Sequence, residues 1–286
     1  MSTSKLWQSQ NFLRRPEFVA NLVGKTDITR SDLVVEIGPG RDIITQELAK
    51  RARKVIAVEA DPRLAASLKA SFQDRTNIQI IEADFLKWGL PREPYKVFSN
   101  IPFNMTADIV RKLTEARNPL QVAYLIMQEE AAFRFMGRPK DSQTSILLAP
   151  WFEVRIISNI DRREFTPIPN INAVLAEFRK RDEPLVTEEN QQTFRDFVVY
   201  GYNQWQPTIL DAFREVFSSR QRKILERELR IRNLKPSDLT IEQWLKLFET
   251  FLNFVPQERK ELVRGAKRRL KEQQKRLQKW HRTRNY

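Results

Sequence analysis

The chain has 286 residues, is 41% hydrophobic and carries a formal net charge of +14, so it is long enough for two domains with buried cores. It lacks cysteine and has a single histidine, His281, which excludes disulfides, thiolate metal sites, a cysteine nucleophile and chemistry that needs a core histidine. No apolar run is long enough to cross a membrane and the first ten residues lack a signal-peptide core, so we expect a cytoplasmic protein.

Positive charge is concentrated at the C-terminal end. Residues 259–286 contain 12 Lys and Arg against two Glu, which leaves 38 basic and 34 acidic residues in the rest of the chain. A near-neutral body with a basic tail favours a polyanionic partner, most plainly nucleic acid; the alternative is a solvated tail that only raises solubility. Leu262, Ala266 and Leu270 have the spacing of one helical face, so the tail, at about 257–286, is predicted to form a basic amphipathic helix.

Strand and helix patterns alternate through the first part of the chain. Strands are predicted at residues 32–36, 54–58, 78–81, 95–98 and 122–127. Helical spacing separates them, including a helix at 106–115 and one that Asp61 caps and Pro62 begins. This alternation predicts a parallel sheet covered by helices, with later runs at 152–157 and 173–178 at its far edge.

The pattern changes near residue 184. Beyond this point the spacing is helical without a convincing strand, and Thr240 with Gln243 has the sequence of a capping box at a helix start. We therefore predict an α/β domain at 1–184 and a small all-α domain, which carries the basic tail, at 185–286.

A glycine turn follows the first predicted strand. Glu36 ends the strand, and Gly38 and Gly40 let the backbone approach a ligand closely at the beginning of the next helix. A nicotinamide-binding loop would have a third glycine where Ile43 stands, and a phosphate loop would continue with Gly-Lys-Ser or Gly-Lys-Thr. The turn therefore favours an adenosyl ligand that has no pyrophosphate.

Acidic side chains follow the second and third strands. Glu59, 19 residues beyond Gly40, is predicted to accept hydrogen bonds from both ribose hydroxyls. Asp84 is predicted to accept one from an adenine amine, while Phe85 packs against the adenine ring. The carboxyl ends of parallel strands are where such ligands bind. The structural alternatives are a solvated carboxylate at Glu59, a turn-capping Asp84 and a core Phe85.

The tetrad Asn100-Ile101-Pro102-Phe103 follows the fourth strand. The Asn100 side-chain oxygen and the Ile101 carbonyl can accept both hydrogens of an adenine amine, which frees the nitrogen lone pair for attack on a methyl group. Pro102 stiffens the loop, and Phe103 can stack on the base, a contact worth about 1–3 kcal/mol. Positioning and the cofactor then perform most of the chemistry, without a strong general base. The alternative is a strand-end turn with a core phenylalanine.

These motifs, in this order, resemble those of the rRNA adenine N6-methyltransferases and, within them, the erythromycin-resistance (Erm) branch. The resemblance covers roughly residues 8–255, and the ordered set is far more specific than any single motif. The matching segments are Ser9–Phe12, Glu36–Gly40, Glu59, Asp84, Asn100–Phe103, Glu164–Pro169 and Leu239–Trp244.

The resemblance implies an α/β protein with a Rossmann-like S-adenosylmethionine-dependent methyltransferase domain, a small all-α RNA-binding domain and a basic C-terminal tail. It implies S-adenosylmethionine as the cofactor, protein-free or precursor 23S rRNA as the substrate, and resistance to macrolides, lincosamides and streptogramin B as the outcome. Gln10 and Asn11 would line the cofactor pocket with Asn100, and Phe165 would hold a flipped adenine opposite Phe103. We expect a monomer, no metal site and no membrane partner.

Two positions depart from the family pattern. The family commonly has glycine after the basic residue of the first loop, whereas Arg41 is followed here by Asp42. Asp42 is predicted to cap the next helix instead and to interact favourably with its dipole. The fourth motif often ends in tyrosine where this chain has Phe103, which retains stacking but lacks the hydroxyl.

Three other assignments stay open at the level of sequence. The sister branch dimethylates adjacent adenines of small-subunit rRNA, but Asn100–Thr106 and Gln243-Trp244 look more like the resistance branch. A non-catalytic nucleic-acid-binding relative of this fold would also carry basic surfaces, yet the intact Glu59, Asp84 and Asn100 favour catalysis. A DNA adenine methyltransferase more often has a tetrad that begins with Asp and ends with Tyr or Trp.

The tail yields a first prediction. Deleting residues 259–286 removes 12 basic side chains, so the affinity for RNA should depend less steeply on salt concentration. Fluorescence anisotropy of a labelled RNA across a salt series would measure the slope of the binding constant against salt. An unchanged slope would contradict a role of the tail in contacting phosphates.

Overall fold

A computed structural model of the chain describes residues 11–115 and 120–283, with side chains up to residue 276. The described chain divides into two compact units. The first runs to Phe133 and resumes over Phe152–Arg181, and the second combines Arg134–Trp151 with the chain from Asp182 onward.

The strands of the described chain are β1 Phe12–Leu13, β2 Leu33–Ile37, β3 Lys54–Glu59, β4 Ile78–Glu82, β5 Tyr95–Asn100, β6 Leu120–Gln128, β7 Phe152–Ile160, β8 Phe165–Thr166 and β9 Ala173–Lys180. The α-helices are α1 Pro16–Gly24, α2 Ile43–Arg51, α3 Pro62–Ser71, α4 Thr106–Glu115, α5 Glu129–Phe135, α6 Gln143–Leu148, α7 Gln191–Tyr202, α8 Ile209–Ala212, α9 Ser219–Leu229, α10 Ile241–Phe254, α11 Gln257–Val263 and α12 Ala266–Thr283.

The first unit is built on a seven-stranded sheet with the order β4-β3-β2-β5-β6-β9-β7. The five strands from β4 to β6 are parallel, and β9 runs antiparallel to both β6 and β7. All five residues of β2 are buried, as expected for a parallel strand that helices cover on both faces. The predicted parallel sheet and its far edge are confirmed.

The second unit includes a segment that lies far from the rest of it in sequence. The ring of Trp151 packs edge-on against Phe194 at 5.9 Å between centroids, and Asn203 Nδ2 donates to Gln143 Oε1 at 2.9 Å. Arg134–Trp151 therefore groups with the helices, whereas the sequence prediction counted it within 1–184. A boundary read from linear order does not detect such an exchange, because it follows from side-chain contacts between distant segments.

Stacked aromatic rings form the centre of the second unit. Phe197 on α7 stacks on Phe213 at 4.5 Å and meets the ring of Trp244 at a right angle, 6.0 Å away. Gly201, one turn further along α7, lets these rings approach the helix backbone: a Cβ there would lie 2.7 Å from Trp244 and 2.8 Å from Phe213.

Two of the helix starts read from the sequence are confirmed. Asp61 Oδ1 accepts from the Arg63 backbone N–H at 2.8 Å at the start of α3. Thr240 and Gln243 form the capping box that begins α10, with the Gln243 side chain accepting from the Thr240 N–H at 2.9 Å.

The tail differs from the single helix that its spacing predicts. The chain breaks between α11 and α12, where Gly265 has a φ of 75° in the left-handed region. As a result Val263 is buried, whereas Leu262, which the predicted face included, is 44% exposed. Local periodicity does not reveal this break, because the turn is held by Asp196 of α7, whose side chain accepts from the Gly265 N–H. Within the described chain, no helix is long and apolar enough to span a membrane.

The packing of Gly201 yields a second prediction. Gly201→Ala should lower the free energy of unfolding by up to about 2 kcal/mol, because overpacking costs about 1–3 kcal/mol and the gain in helix propensity offsets about 1 kcal/mol. Urea unfolding followed by circular dichroism would measure it. Gly89→Ala is the matched control, since Gly89 is exposed and an added Cβ has no atom within 4 Å. Equal stability of the two variants would contradict this account.

Candidate active site

The ends of β2 and β5 meet where the strand order reverses. β2 pairs with β3 on one side and with β5 on the other, so the loops that follow β2 and β5 leave the sheet next to each other. Ser99, which is fully buried, donates from Oγ to the carbonyl of Ile37 at 2.6 Å. This bond ties the glycine loop to the start of the Asn100 tetrad, at the kind of position where open α/β sheets bind their ligands.

The glycine loop is wound into left-handed backbone. Gly38 and Gly40 have φ values of 63° and 56°, and the Gly38 N–H donates to Val58 O at 2.9 Å. A Cβ on Gly40 would lie 2.5 Å from the ring of Phe12, so glycine is required there by packing as well as by conformation.

Asp42 does not cap the helix as predicted. Its φ of 66° lies in the left-handed region, its side chain makes no cap hydrogen bond, and Oδ1 accepts instead from Gln46 Nε2 at 2.9 Å. Left-handed backbone costs a residue with a Cβ about 1–2 kcal/mol, although Asp tolerates it better than most. The loop geometry therefore explains why glycine is common at this position in the family that the motifs resemble.

Glu36 is the most unusual carboxylate of the site. It is 1% exposed, Oε2 accepts from Thr45 Oγ1 at 2.6 Å, and Oε1 has no hydrogen-bond partner among the described residues. Burial raises the pKa of Glu36 to about 8, although the Thr45 hydroxyl acts in the other direction and the charges of Glu59 and Asp42 add to the rise. An orphaned buried oxygen is costly, and a ligand that brings a donor or a positive charge would relieve it.

Glu59 is buried rather than solvated. At 2% exposure, its Oε1 accepts from the Asp61 N–H at 2.9 Å and its Oε2 from the Gly40 N–H at 3.3 Å. Burial raises the pKa of Glu59, and the backbone donors partly oppose that rise. The carboxylate therefore connects β3 to the glycine loop, and because each oxygen has two lone pairs it retains acceptor capacity for a ligand.

Asp84 follows β4, and the buried ring of Phe85 comes directly after it. Asp84 Oδ1 accepts from the Leu86 N–H at 2.9 Å, so the turn-capping alternative is correct for this oxygen. Lys112 on α4 donates from Nζ to the Phe85 carbonyl at 2.5 Å and also to the Trp88 carbonyl. The helix that follows the tetrad thereby holds the Asp84 loop in position.

Asn100 has its amide oriented by the N-terminal segment. Nδ2 donates to the Asn11 carbonyl at 2.7 Å, so the geometry of the amide directs Oδ1 away from Asn11 as an acceptor. Ile101 is buried, and its N–H donates to Ile126 O at 3.3 Å. The first two residues of the tetrad are therefore held by the N-terminal segment on one side and by β6 on the other.

The rest of the tetrad forms a short turn. Pro102 precedes a 3₁₀ turn over Phe103–Met105, whose Met105 N–H donates to Pro102 O at 2.9 Å. Thr106 Oγ1 donates to the Phe103 carbonyl at 3.0 Å. The Phe103 ring is half-buried, with one side on the core, so part of it stays accessible.

The N-terminal segment around Phe12 pairs with the segment that begins at Glu164. β1 runs antiparallel to β8, with Phe12 opposite Thr166 and Leu13 opposite Phe165, and Arg15 Nε donates to Glu164 Oε2 at 2.8 Å. The Phe165 ring is fully buried in the core, so it does not face a base beside Phe103 in this structure. Its predicted contact would require the ring to leave that packing.

Most of the candidate site residues are therefore gathered around the ends of β2, β3 and β5, and Gln10 lies outside the described residues. Sequence reasoning missed Thr45, Ser99 and Lys112, whose contacts hold the loops of the candidate site. Thr45 lies on the helix that follows the glycine loop and Lys112 on the helix that follows the Asn100 tetrad, and this position is the one local signal that could have found them.

The comparison with known proteins identifies the family. A model described as ribosomal RNA adenine dimethylase matches residues 1–253 of the chain. The chain belongs to the ribosomal RNA adenine dimethylase family. An rRNA adenine N-6-methyltransferase of Bacillus licheniformis is 30% identical over 254 residues, which cover 87% of this chain and 88% of that protein.

Two further proteins resemble the chain. A ribosomal RNA small subunit methyltransferase A of Latilactobacillus sakei subsp. sakei (strain 23K) is 31% identical over 224 residues, or 74% of this chain and 75% of that one. The crystal structure of the 23S rRNA methyltransferase ErmE superposes on this chain with a TM-score of 0.77 and a sequence identity of 29%. The match covers 85% of this chain and 100% of the ErmE chain.

Membership in this family makes the chain an enzyme, an rRNA adenine N6-methyltransferase, and the family implies S-adenosylmethionine as the methyl donor. The family resemblance read from the motifs is confirmed, as is the Rossmann-like α/β fold with a helical C-terminal region. The roles of individual residues stay predictions.

The buried Glu36 yields a third prediction. Its carboxyl is protonated in the folded protein up to a pH of about 8 but ionises near 4.5 when unfolded. The unfolded state therefore binds fewer protons between these values, and stability falls as the pH rises through this window. Glu36→Gln has no carboxyl to ionise at this position. The free energy of unfolding of the variant, relative to that of the parent, should therefore rise by a few kcal/mol from pH 5 to 8.

Denaturant unfolding at several pH values would measure this difference, with Glu47→Gln as the control. Burial raises the pKa of Glu47, but hydrogen bonds from Lys50 and Arg51 outweigh it, so this pKa is lowered. Its contribution is lost only as the pH falls through that lowered value, and the control difference should stay flat from pH 5 to 8. If the difference in the free energy of unfolding between Glu36→Gln and the parent also stayed constant from pH 5 to 8, it would contradict the raised pKa of Glu36.

Proposed function

We propose that the chain transfers a methyl group from S-adenosylmethionine to the N6 amine of an adenine in 23S rRNA and so gives resistance to macrolides, lincosamides and streptogramin B. Protein-free or precursor 23S rRNA is the proposed substrate, and the chain acts as a monomer. Family membership supports the reaction, and the likeness to ErmE, a 23S rRNA methyltransferase, supports the choice of RNA.

The orientation of Asn100 is the observation that carries the reaction. The Asn11 carbonyl accepts from Nδ2, which leaves Oδ1 to accept a hydrogen from the target amine. With the Ile101 carbonyl as a second acceptor, the amine is held so that its lone pair leaves conjugation with the ring. Phe103, part of whose ring is accessible, stacks on the base. Positioning of this kind supplies much of the rate enhancement, without a general base.

The acceptors of the site fit the cofactor. S-adenosylmethionine supplies, when bound, a methyl group activated by a sulfonium. Glu59 accepts from the ribose hydroxyls and Asp84 from the adenine amine, while Gly38 and Gly40 let the backbone come close to the ligand. The orphaned Oε1 of Glu36 would gain a partner in the positively charged part of this cofactor, whose charge would in turn favour the ionised form of the carboxyl. Gln10, Asn11, Phe85 and Asn100 complete the proposed pocket.

Small-subunit rRNA is the second candidate substrate. The relative from Latilactobacillus sakei is a small subunit methyltransferase, and its identity of 31% is close to the 30% of the Bacillus licheniformis relative. The two substrates differ in the RNA presented to the same reaction centre, so an assay with both separates them.

The assay uses methyl-labelled S-adenosylmethionine with protein-free 23S rRNA and, separately, intact 30S subunits. Label in 23S rRNA alone would support the assignment as a resistance methyltransferase. Label in 30S subunits alone would instead support the assignment as a housekeeping methyltransferase of small-subunit rRNA. Asn100→Ala should lower kcat by about two to three orders of magnitude, the usual cost of removing one group aimed at the reacting atoms.

Asn77→Ala is the matched control. Its Nδ2 also donates to a backbone carbonyl, that of Ala49 at 2.8 Å, but at the amino end of β4, away from the loops. It should retain full activity. Equal activity of Asn100→Ala and the parent would contradict the proposed role of Asn100, and absence of label in every RNA would contradict the proposed function.

A further inference from the structure

A buried carboxylate of α7 anchors the start of the basic helix α12. Asp196, which is 5% exposed, accepts from the Gly265 N–H with Oδ2 at 2.8 Å and from the Lys267 N–H with Oδ1 at 2.9 Å. Val263 and Ala266, on either side of the turn, are also buried. The direction in which α12 leaves the turn is therefore set by side-chain contacts within the helical unit.

The sequence of α12 makes such an anchor necessary. Its first turn contains Lys267, Arg268 and Arg269 and no acidic residue. Positive charge near a helix N-terminus is unfavourable, because that end already carries the positive pole of the helix dipole. Asp196 supplies, from another helix, both the negative charge and the acceptors that the helix lacks.

Beyond its first turn, α12 extends into solvent. Every residue from Lys271 to Arg276 is exposed. Arg268, Lys271 and Lys275, all exposed, follow the spacing i, i+3 and i+7, which aligns them along one face of the helix. These three positions extend over about 10 Å at 1.5 Å per residue.

We propose that α12 is an RNA-docking arm, whose basic stripe of Arg268, Lys271 and Lys275 lies along the phosphate backbone of the substrate RNA. Asp196 is the positioning residue that aims this arm. The arm binds phosphates, so it sets the affinity for RNA rather than the chemistry of methyl transfer. This proposal rests on the proposed function, in so far as the substrate is an RNA.

The chemistry of α12 favours RNA over an acidic membrane. A helix that binds at a membrane surface needs an apolar face to bury among the lipids. The exposed stretch from Lys271 to Arg276 has no apolar side chain, and the large apolar residues in the sequence of α12 are only Leu270, Leu277 and Trp280. The sequence of 266–283 contains eight Lys and Arg against one Glu, so its attraction to phosphates is strong at every turn.

Point substitutions test the arm more sharply than deletion, because deletion also removes the buried Val263 and Ala266. In the full chain, the arm variant removes the three charges of the basic stripe together, by Arg268→Gln, Lys271→Gln and Lys275→Gln. The control variant removes three exposed charges from α9 of the same unit, by Arg220→Gln, Lys223→Gln and Arg227→Gln. Anisotropy with a labelled 23S rRNA fragment gives the affinity at several salt concentrations.

The arm variant should lose about ten- to hundredfold in affinity near physiological salt, with a salt slope shallower by about 2 to 3, the contribution of three phosphate contacts. The control should change both quantities much less. Equal losses in the two variants would overturn the proposal, because they would show only a general effect of net charge.

Asp196→Ala separates positioning from charge. Loss of a negative charge alone would strengthen RNA binding, whereas an arm that has lost its anchor would bind several-fold more weakly. Asp196→Asn, which retains one acceptor, should recover part of the affinity. Tighter binding by Asp196→Ala would overturn the positioning role, and an unfolding curve for each variant would exclude general instability.

Two further outcomes are distinguishable. If the parent methylates rRNA but the arm variant binds it as tightly, the arm proposal fails while the proposed function stands; if the parent neither binds nor methylates any RNA, the proposed function itself fails. Cosedimentation with vesicles of phosphatidylserine and phosphatidylcholine tests the other partner: vesicle binding that depends on the stripe, with RNA binding unaffected, would replace RNA with a membrane.

Discussion

Parallel pairing of β2 with both β3 and β5 is the constraint on which the candidate site depends. Since the connections run to opposite sides from β2, the glycine loop and the Asn100 tetrad emerge side by side at the carboxyl ends of their strands. The bond from Ser99 to Ile37 and the bond from Asn100 to Asn11 then fix the loops to each other and to the N-terminal segment. The proposed reaction needs this rigidity, because it relies on the positioning of backbone and amide groups.

The candidate site contains buried acidic side chains, whereas the chain as a whole is strongly basic. Glu36 and Glu59 are both buried near the glycine loop, within a protein whose net charge is +14. Burial disfavours ionisation of Glu36 and the charge of Glu59 disfavours it further, so these surroundings keep Glu36 protonated at neutral pH. A cationic cofactor beside Glu36 would favour its ionised form, whereas an anionic one such as a dinucleotide would disfavour that form further.

In the helical unit, a buried acidic side chain stabilises a basic helix. A basic helix that extends into solvent has little intrinsic stability, and repulsion at its positive end weakens it further. One buried carboxylate, that of Asp196, compensates at the point where the helix begins. Positive charge is thus presented on an ordered element rather than on a loose tail.

Much of this protein is determined by the sequence alone. The five parallel strands, the cap at Asp61 and the capping box at Thr240 follow from local propensity and hydrophobic period, which need no knowledge of distant residues. The motifs around Glu36 and Asn100 indicate the family because specific residue types stand in a specific order at the ends of successive strands.

Other features were decided only by tertiary structure. Whether Phe165 faces a base or the core, whether Asp42 caps a helix, and which unit receives Arg134–Trp151 all depend on contacts that local patterns do not contain. The raised pKa of Glu36 and the anchoring of α12 by Asp196, 69 residues away from Gly265, are of the same kind. Burial and long-range hydrogen bonds arise when distant segments meet, so they become visible only once the chain is folded.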